Sequence, residues 1–313
     1  MNRTAIILTV LLLVGYSAAG RIAARPDRAR IHASIRIALV GFARSKAANA
    51  ASPLELALAD SLRRDPRVTL IDQSLVQSAL AGIGYDGSIN MSKDEARKLG
   101  AAIGCDFFMV GKSEAFTRSE RANESHQQAY AGVMIVDGRN GALTAFDFIS
   151  NQAVTSEAAQ QSLMTALDQR VTGYVDRMTQ VRAQASSRSR DSASPVLPPP
   201  DVIEDIPAED SPRSAGFKPP EFLNRVKPDY TAEAELADIT ATVEAMVVFG
   251  SNGKVGRIEI TRWAGFGLDE SSERAIRQLK FKPAVRDDNP ISVRALIRYN
   301  FRRVSAPANK VDR

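Results

Sequence analysis

The sequence predicts an α+β fold: an α/β N-terminal domain with a mixed sheet flanked by helices, and a small C-terminal ββαβ domain, joined by a Pro-rich disordered linker. Apolar and polar residues alternate from Ile239 to Phe249, as in a half-buried strand, and Gly250–Lys254 follows as a hairpin turn. Short strand and helix patterns fill residues 36–180. The chain of 313 residues is long enough for two domains, each with its own core.

The C-terminal domain is predicted from four successive patterns. After the first strand, Asn252-Gly253 is a strong hairpin signal, and a second strand is expected over 255–262. A helix starts near Asp269 and places apolar residues on one side. A last alternating strand covers 291–301. Because a helical crossover leads back into the sheet, we expect the last strand to pair beside the first one.

The N-terminal domain alternates buried strands with capped helices. Ser52 is an N-cap followed by Pro53, and Ser92 opens a capping box with Glu95. Strands are expected over residues 37–42, 68–71, 107–110, 129–136 and 142–149. A long amphipathic helix closes the domain, with one apolar face formed by Leu163, Leu167, Val171, Val175 and Met178.

The chain divides into five expected segments. They are an export signal or anchor (1–20), the α/β domain (34–182), a Pro-rich acidic linker (183–218), the C-terminal domain (219–304) and a flexible tail (305–313). The linker cannot bury enough apolar surface to fold alone, so we expect it to be disordered.

The N-terminal segment is typical of an exported protein. Arg3 precedes an uncharged run from Thr4 to Gly20, and the small residues at its end suit a signal peptidase. The run is near the lower limit for a spanning helix, so a cleaved signal peptide and an inner-membrane anchor over residues 5–19 both stay open. Either alternative places the rest of the chain in the periplasm.

Composition argues against several kinds of function. The net charge is +5 and no basic block is interleaved with aromatic residues, so we expect no nucleic-acid partner. One cysteine and two histidines make a zinc site improbable, and we expect no metal or cofactor. No paired carboxylates or nucleophile–base pair stand in a recognisable context, so we do not expect an enzyme; an enzyme with an unrecognised site stays open as an alternative.

The C-terminal pattern resembles the C-terminal domain of the TonB family. That family has a Pro-x-Tyr-Pro motif before its first strand, a Gly-containing hairpin, Phe-x-Pro-Ala after the helix and a final strand ending in Phe. The matching positions here are Pro228, Tyr230, Asn252, Gly253, Phe281, Pro283 and Phe301. One departure is Thr231, where the family usually has a second Pro.

The resemblance implies partner binding by β-strand addition to the last strand. The receiving edge would be Ser292, Val293, Arg294, Ala295, Leu296, Ile297, Arg298 and Tyr299. The partner would be an envelope protein such as a TonB-dependent outer-membrane transporter. Family members also contact an ExbB/ExbD-type motor through a histidine in the membrane helix. Ala5–Ala19 contains no histidine, which argues against motor coupling here.

Arg294, Arg298 and Arg302 form a basic stripe on one face of the last strand. Two interpretations stay open: the stripe is the solvated side of the sheet, or it contacts an acidic partner.

The N-terminal domain resembles the α/β domain shared by the N-terminal part of TolB and by CsgG-type envelope proteins. The matching segments are 37–42, 68–72, 96–100, 104–111 and 136–141. This resemblance implies the alternative function, an envelope scaffold or assembly factor that acts through the α/β domain without a motor.

Overall fold

Two large β-sheets, a small two-stranded sheet and their flanking helices make up the described part of this chain. The computed structural model describes residues 34–43, 52–119, 125–191, 203–208 and 210–303. The predicted export segment (1–20) and tail (305–313) lie outside these residues. None of the described helices is long and apolar enough to cross a membrane.

The first sheet is mixed and matches the predicted α/β domain. Its strands lie in the order β2-β1-β3-β4-β5. The strands are β1 (Ile35–Ala43), β2 (Val68–Leu70), β3 (Phe107–Ser119), β4 (Ser125–Asp137) and β5 (Leu143–Ala153). The helices are α1 (Pro53–Arg63), α2 (Gln73–Gly82), α3 (Lys93–Ile103) and α4 (Ser156–Asp191). β1 runs parallel to β2 and β3, and β3, β4 and β5 are antiparallel.

The predicted N-cap at Ser52 and the predicted capping box at Ser92 are both present, and Ser52 also forms a capping box. The Ser52 hydroxyl accepts a hydrogen bond from the Glu55 amide, and the Glu55 carboxylate accepts one from the Ser52 amide. Ser92 and Glu95 make the same reciprocal pair at the start of α3. These contacts satisfy amides that have no partner inside the helix, so they fix where α1 and α3 begin.

The second sheet confirms the ββαβ prediction. Its strands are β6 (Ile203–Asp205), β7 (Phe217–Lys218), β9 (Ala241–Phe249), β10 (Val255–Arg262), β12 (Ala284–Arg286) and β13 (Asn289–Phe301). They lie in the order β10-β9-β13-β12-β7, and β6 also pairs with β13. A separate two-stranded sheet is formed by β8 (Glu221–Phe222) and β11 (Phe281–Lys282). The helices are α5 (Ala232–Leu236) and α6 (Leu268–Arg277). β13 lies antiparallel beside β9, as expected for the last strand.

Parts of the expected linker are ordered. α4 continues to Asp191, and β6 and β7 both lie within residues 183–218. The expectation of disorder fails there because β6 and β7 pair with β13 and β12, which supply the hydrogen bonds that the segment cannot make alone.

The two faces of the first sheet have different covers. α1 and α4 bury one face in a common core. On the other face, α2 and α3 share a core with the second sheet, so the described residues form one compact unit. The α/β segment and the TonB-like segment are therefore in direct contact, although the sequence suggested that a flexible linker separates them.

Phe266 is the central side chain of this junction. Its ring is fully buried over Gly132, where an added Cβ would lie 2.6 Å from the ring. Phe266 has a φ of 52°, which is costly for a bulky residue, and the flanking Gly265 and Gly267 also have positive φ. The Thr231 hydroxyl donates to the Phe266 carbonyl. Burial of the ring thus offsets the cost of the positive φ at Phe266.

Trp263 and Asn90 make several of the polar contacts of the junction. The indole Nε1 of Trp263 donates to the Gly141 carbonyl at 3.1 Å. The Asn90 side chain accepts from the Thr242 amide at 2.9 Å and donates to the carbonyls of Thr242 and Trp263. Asn90 thus satisfies backbone groups of the second sheet, and the Trp263 indole satisfies a buried carbonyl of the first domain, so separating the two would break bonds on both sides.

We expect Phe266→Ala to lower the free energy of unfolding by about 3–5 kcal/mol, because it empties a closely packed site. Trp263 is the only tryptophan and lies at the junction, so its fluorescence reports on this contact. Denaturant unfolding followed by Trp263 fluorescence and by far-UV circular dichroism should give one coincident transition.

The matched control is Leu75→Ala on α2, where the side chain is 63% exposed, and its effect should stay within about 0.5 kcal/mol. Two separate transitions in the wild-type protein would show that the sheets fold independently and would contradict the shared core.

Asp269 is a buried carboxylate at the start of α6. Its two oxygens accept from the amides of Ala264 at 2.9 Å and Gly265 at 2.8 Å. Burial raises its pKa to about 7, even though the two amide bonds act in the opposite direction. A folded pKa above the unfolded value of 3.8 means that folding favours the protonated carboxyl.

Asp269 should therefore make stability fall with pH. Its contribution is fully present below about pH 4 and is lost as the pH rises through 7, a change of up to about 4 kcal/mol. We expect the difference in unfolding free energy between wild type and Asp269→Asn to shrink by that amount from pH 4 to pH 8. A difference that does not vary with pH would contradict this assignment.

Candidate partner-binding edge

β13 is the strand on which the binding hypothesis depends, and its two edges differ. One edge pairs with β9 from Val293 to Phe301. The opposite edge has three parts. Asn289–Ile291 pairs with β12 in a tight hairpin, Ser292–Arg294 pairs with β6, and no strand of the described chain pairs with Ala295–Phe301 on that side.

The expected receiving edge, Ser292 to Tyr299, thus needs a correction at its beginning. Ser292, Val293 and Arg294 already pair in parallel with Ile203–Asp205. The alternating pattern identifies a strand, but it does not tell which distant segment lies beside it, so this pairing was missed. The unpaired edge from Ala295 to Phe301 spans about 23 Å at 3.3 Å per residue.

One face of β13 carries an apolar strip beside the unpaired edge. Val293 is fully buried, whereas Ala295, Ile297 and Tyr299 are half-buried. They are only partly covered because α6 packs mainly on β9 and β10. The Tyr299 hydroxyl donates to the Val226 carbonyl at 3.3 Å, and burial raises the pKa of this phenol. A strand added at this edge would cover more of the strip.

The other face of β13 carries the basic stripe. Arg294 contacts Asp205 at 2.8 Å, and Arg298 contacts Glu244 at 2.6 Å. Leu296 lies between them and is 47% exposed, and Arg302 is also exposed. Two of the three guanidinium groups therefore pair with acids of the same chain, and one of those acids belongs to β6.

The aromatic motif residues fix the sheet around β13. The Tyr230 hydroxyl donates to the Ile239 carbonyl at 2.7 Å, just before β9. The rings of Phe281 and Phe249 meet edge to face with centroids 4.9 Å apart. Phe301 is buried in the core that the second sheet shares with the α/β domain. These residues position the strand and leave its free edge clear.

Two of the remaining motif residues form a hairpin turn. Asn252 accepts from the Lys254 amide at 3.0 Å, and Gly253 has a φ of 73°, which favours glycine in this hairpin turn. Pro228 is buried, and Pro283 is half-buried between β11 and β12.

Thr231, the departure from the TonB motif, has a local function in this chain. Its hydroxyl accepts from the Ala234 amide and caps α5. The same hydroxyl donates to Phe266, as described above. A proline could make neither contact, so the substitution links the motif to the junction with the α/β domain.

Other reactive groups do not form a site together. Cys105 is buried, and burial raises the pKa of its thiol to about 12, so it is not poised as a nucleophile. No group of three or more His, Cys, Asp or Glu residues within the described ranges could hold a metal ion.

Comparison with protein families agrees with the C-terminal geometry. Residues 226–302 match the family described as Gram-negative bacterial TonB protein C-terminal. This part of the chain is therefore a TonB C-terminal domain, as the sequence predicted. A comparison with curated proteins gave no match.

A comparison with solved structures gave matches of low sequence identity and low TM-score. The hypothetical protein CT253 from Chlamydia trachomatis is 17% identical and has a TM-score of 0.34, with 46% of this chain and 98% of that chain covered. Lipoprotein GNA1162 from Neisseria meningitidis is 15% identical and has a TM-score of 0.31, with 46% of this chain and 98% of that chain covered. The LpoB C-terminal domain from Salmonella enterica is 12% identical and has a TM-score of 0.29, with 40% of this chain and 87% of that chain covered. At this similarity, the resemblance of residues 34–182 to TolB and CsgG-type domains stays a prediction.

Amide hydrogen exchange should detect the unpaired edge. Successive residues of an antiparallel strand direct their amides to opposite sides, so every second amide from Ala295 to Phe301 faces away from β9. We expect these amides to exchange roughly 100-fold faster than their neighbours in full-length protein. Uniform protection along β13 would mean that another segment or a second copy covers the edge.

Proposed function

We propose that this protein is a periplasmic TonB-type protein that binds an envelope partner by adding a strand of that partner to the β13 edge. The TonB C-terminal domain supports the coarser conclusion of an envelope protein. The observation that carries the finer proposal is the seven-residue edge of β13 from Ala295 to Phe301, which has no strand partner among the described residues. An outer-membrane transporter of the TonB-dependent kind is the proposed partner.

Strand addition suits the chemistry of this edge. Unpaired backbone N–H and C=O groups accept an extended chain in register, and each new hydrogen bond contributes about 1 kcal/mol net. The half-buried Ala295 and Ile297 lie next to the edge and would lose contact with water when a strand is added. Main-chain bonds would thus supply affinity, and the exposed Leu296 face would contribute selectivity.

The alternative function, an envelope scaffold or assembly factor, is favoured by a different observation. The TonB-like sheet shares its core with α2 and α3, so it is not a module on a free tether. A partner held on β13 would therefore be held at a fixed orientation to the α/β domain. This geometry supports a scaffold that joins two envelope components, without any contribution from a motor.

Site-specific photocrosslinking in full-length protein tests the proposal. A photoreactive residue at Leu296 or at Asn300 should form adducts with one envelope protein in growing cells, because both side chains are exposed on one face of β13. The same residue at Leu75 on α2, which is 63% exposed, is the control and should not capture that protein.

Strand addition also predicts the spacing of the crosslinked residues in the partner. Residues four apart along β13 must contact partner residues four apart in one extended segment. Adducts from Leu296 and Asn300 that map in this way support strand addition, and a β-barrel as the captured protein supports the transporter proposal. If correctly folded protein gives no adduct specific to β13, the proposal is wrong.

A further inference from the structure

The β13 edge already holds a short strand of this chain, β6. We propose that Ile203–Asp205 is an intramolecular ligand of the docking edge, and that its chemistry specifies the partner: an extended acidic segment that runs parallel to β13 and places two consecutive carboxylates on Arg286 and Arg294. This inference rests on the proposed function and adds selectivity and regulation to the same edge.

Two ion pairs fix β6 on the edge. The Glu204 carboxylate contacts Arg286 at 2.8 Å, and both side chains are mostly shielded from water. The Asp205 carboxylate receives two bonds from Arg294, from Nε at 2.9 Å and from a terminal nitrogen at 3.1 Å. Arginine and carboxylate bind well in this forked geometry, which favours acidic side chains at these two places over other residue types.

Arg286 is held in position by groups other than its acidic partner. Its guanidinium lies 5.4 Å from the centre of the Phe217 ring, and one nitrogen donates to the Arg213 carbonyl at 3.1 Å. The site for the first carboxylate is therefore prepared within this sheet, and a carboxylate from a different chain could occupy it without rearrangement.

β6 is held too weakly to block the edge permanently. It pairs over three residues only, and its neighbouring apolar side chains Ile203 and Ile206 are 46% and 39% exposed. The Arg294–Asp205 pair is exposed, and such pairs contribute about 0–1 kcal/mol. Pro207 has no amide hydrogen, which ends the pairing before Ala295 is reached.

A partner strand that begins at Ser292 could pair as far as Phe301. It would make the contacts of β6 and would also cover the unpaired edge, so its backbone pairing would extend over about three times the length. A connection through residues 206–216 keeps β6 near the edge at an effective concentration in the millimolar range. A ligand must therefore displace β6 before it binds. This competition would lower the apparent affinity of the protein for weak or short ligands.

A binding assay with a synthetic peptide tests this inference without the natural partner. The probe is a fluorescent peptide of residues 201–208, and fluorescence anisotropy measures its binding to full-length protein. The double variant Glu204→Lys with Asp205→Lys repels β6 from the two arginines and should bind the peptide about tenfold more tightly than wild type. The control Asp210→Lys reverses one nearby carboxylate that forms no ion pair within the described ranges, and it should bind the peptide like wild type.

A charge swap tests the selectivity. Placed in the double variant, where β6 no longer competes, Arg294→Glu should weaken binding of the peptide by about tenfold, since a charge-assisted pair is replaced by repulsion. A peptide with Lys in place of Asp205 should bind this Arg294→Glu protein again. Circular dichroism and Trp263 fluorescence show whether each variant is folded.

The results separate this inference from the proposed function. Two results would overturn the proposal that β6 is an intramolecular ligand, even if crosslinking at Leu296 succeeds. They are equal peptide binding by wild type and the double variant, and failure of the Lys peptide to bind the Arg294→Glu protein. Peptide binding with the expected charge dependence supports it. If crosslinking at Leu296 then finds no envelope partner, the proposed function fails while the occupation of the edge by β6 stands.

Discussion

The packing of Phe266 against Gly132 is the contact on which the rest of the structure depends. It brings the backbone of the second sheet onto the first at a position that tolerates no additional side-chain atom. Trp263 and Asn90 complete the contact with hydrogen bonds to buried carbonyls. Because interiors are close-packed, a junction of this kind has one arrangement rather than a range. β13 is consequently presented at a fixed angle to the α/β domain.

The backbone pairing of β13 explains why its edge is partly protected and can still bind a partner strand. A long exposed edge invites unwanted pairing, and proteins commonly protect such edges with charges or short covering strands. Here the protection is partial: β12 and β6 cover the first six residues, and Arg298 places a charge on the rest. The uncovered part is long enough for a specific strand, while its basic face disfavours pairing with a second copy of itself.

Much of this architecture can be predicted from local patterns. Alternation located β9 and β13, and Asn252-Gly253 located the hairpin. The N-cap at Ser52 and the capping box at Ser92 located helix starts, because each of these signals depends on neighbouring residues. The sequence also indicated that β13 would lie beside β9. The extra length of β3 and β4 was not apparent, since their polar outer halves are held by pairing with each other rather than by burial in a core.

The missed features all involve distant partners. Three residues of β6 carry no periodic signal, and their pairing with Ser292–Arg294 depends on two arginines far along the chain. The junction was equally hidden, because Gly265-Phe266-Gly267 reads as a flexible loop. One signal was available in retrospect: a large apolar residue between two glycines seldom stays in water, and it indicated a buried contact.

The shared core changes how a TonB C-terminal domain can work in this chain. The polypeptide enters the folded unit at β1, in the first sheet, whereas the proposed partner adds to β13 in the second. A force between an N-terminal anchor and a bound partner would have to pass through the Phe266 junction and the hydrogen bonds between β9 and β13. Pulling along β13 would load those bonds together, while the junction would be loaded through packed side chains. The α/β domain would lie in the path of such a force, and its stability would limit the force that a bound partner could experience.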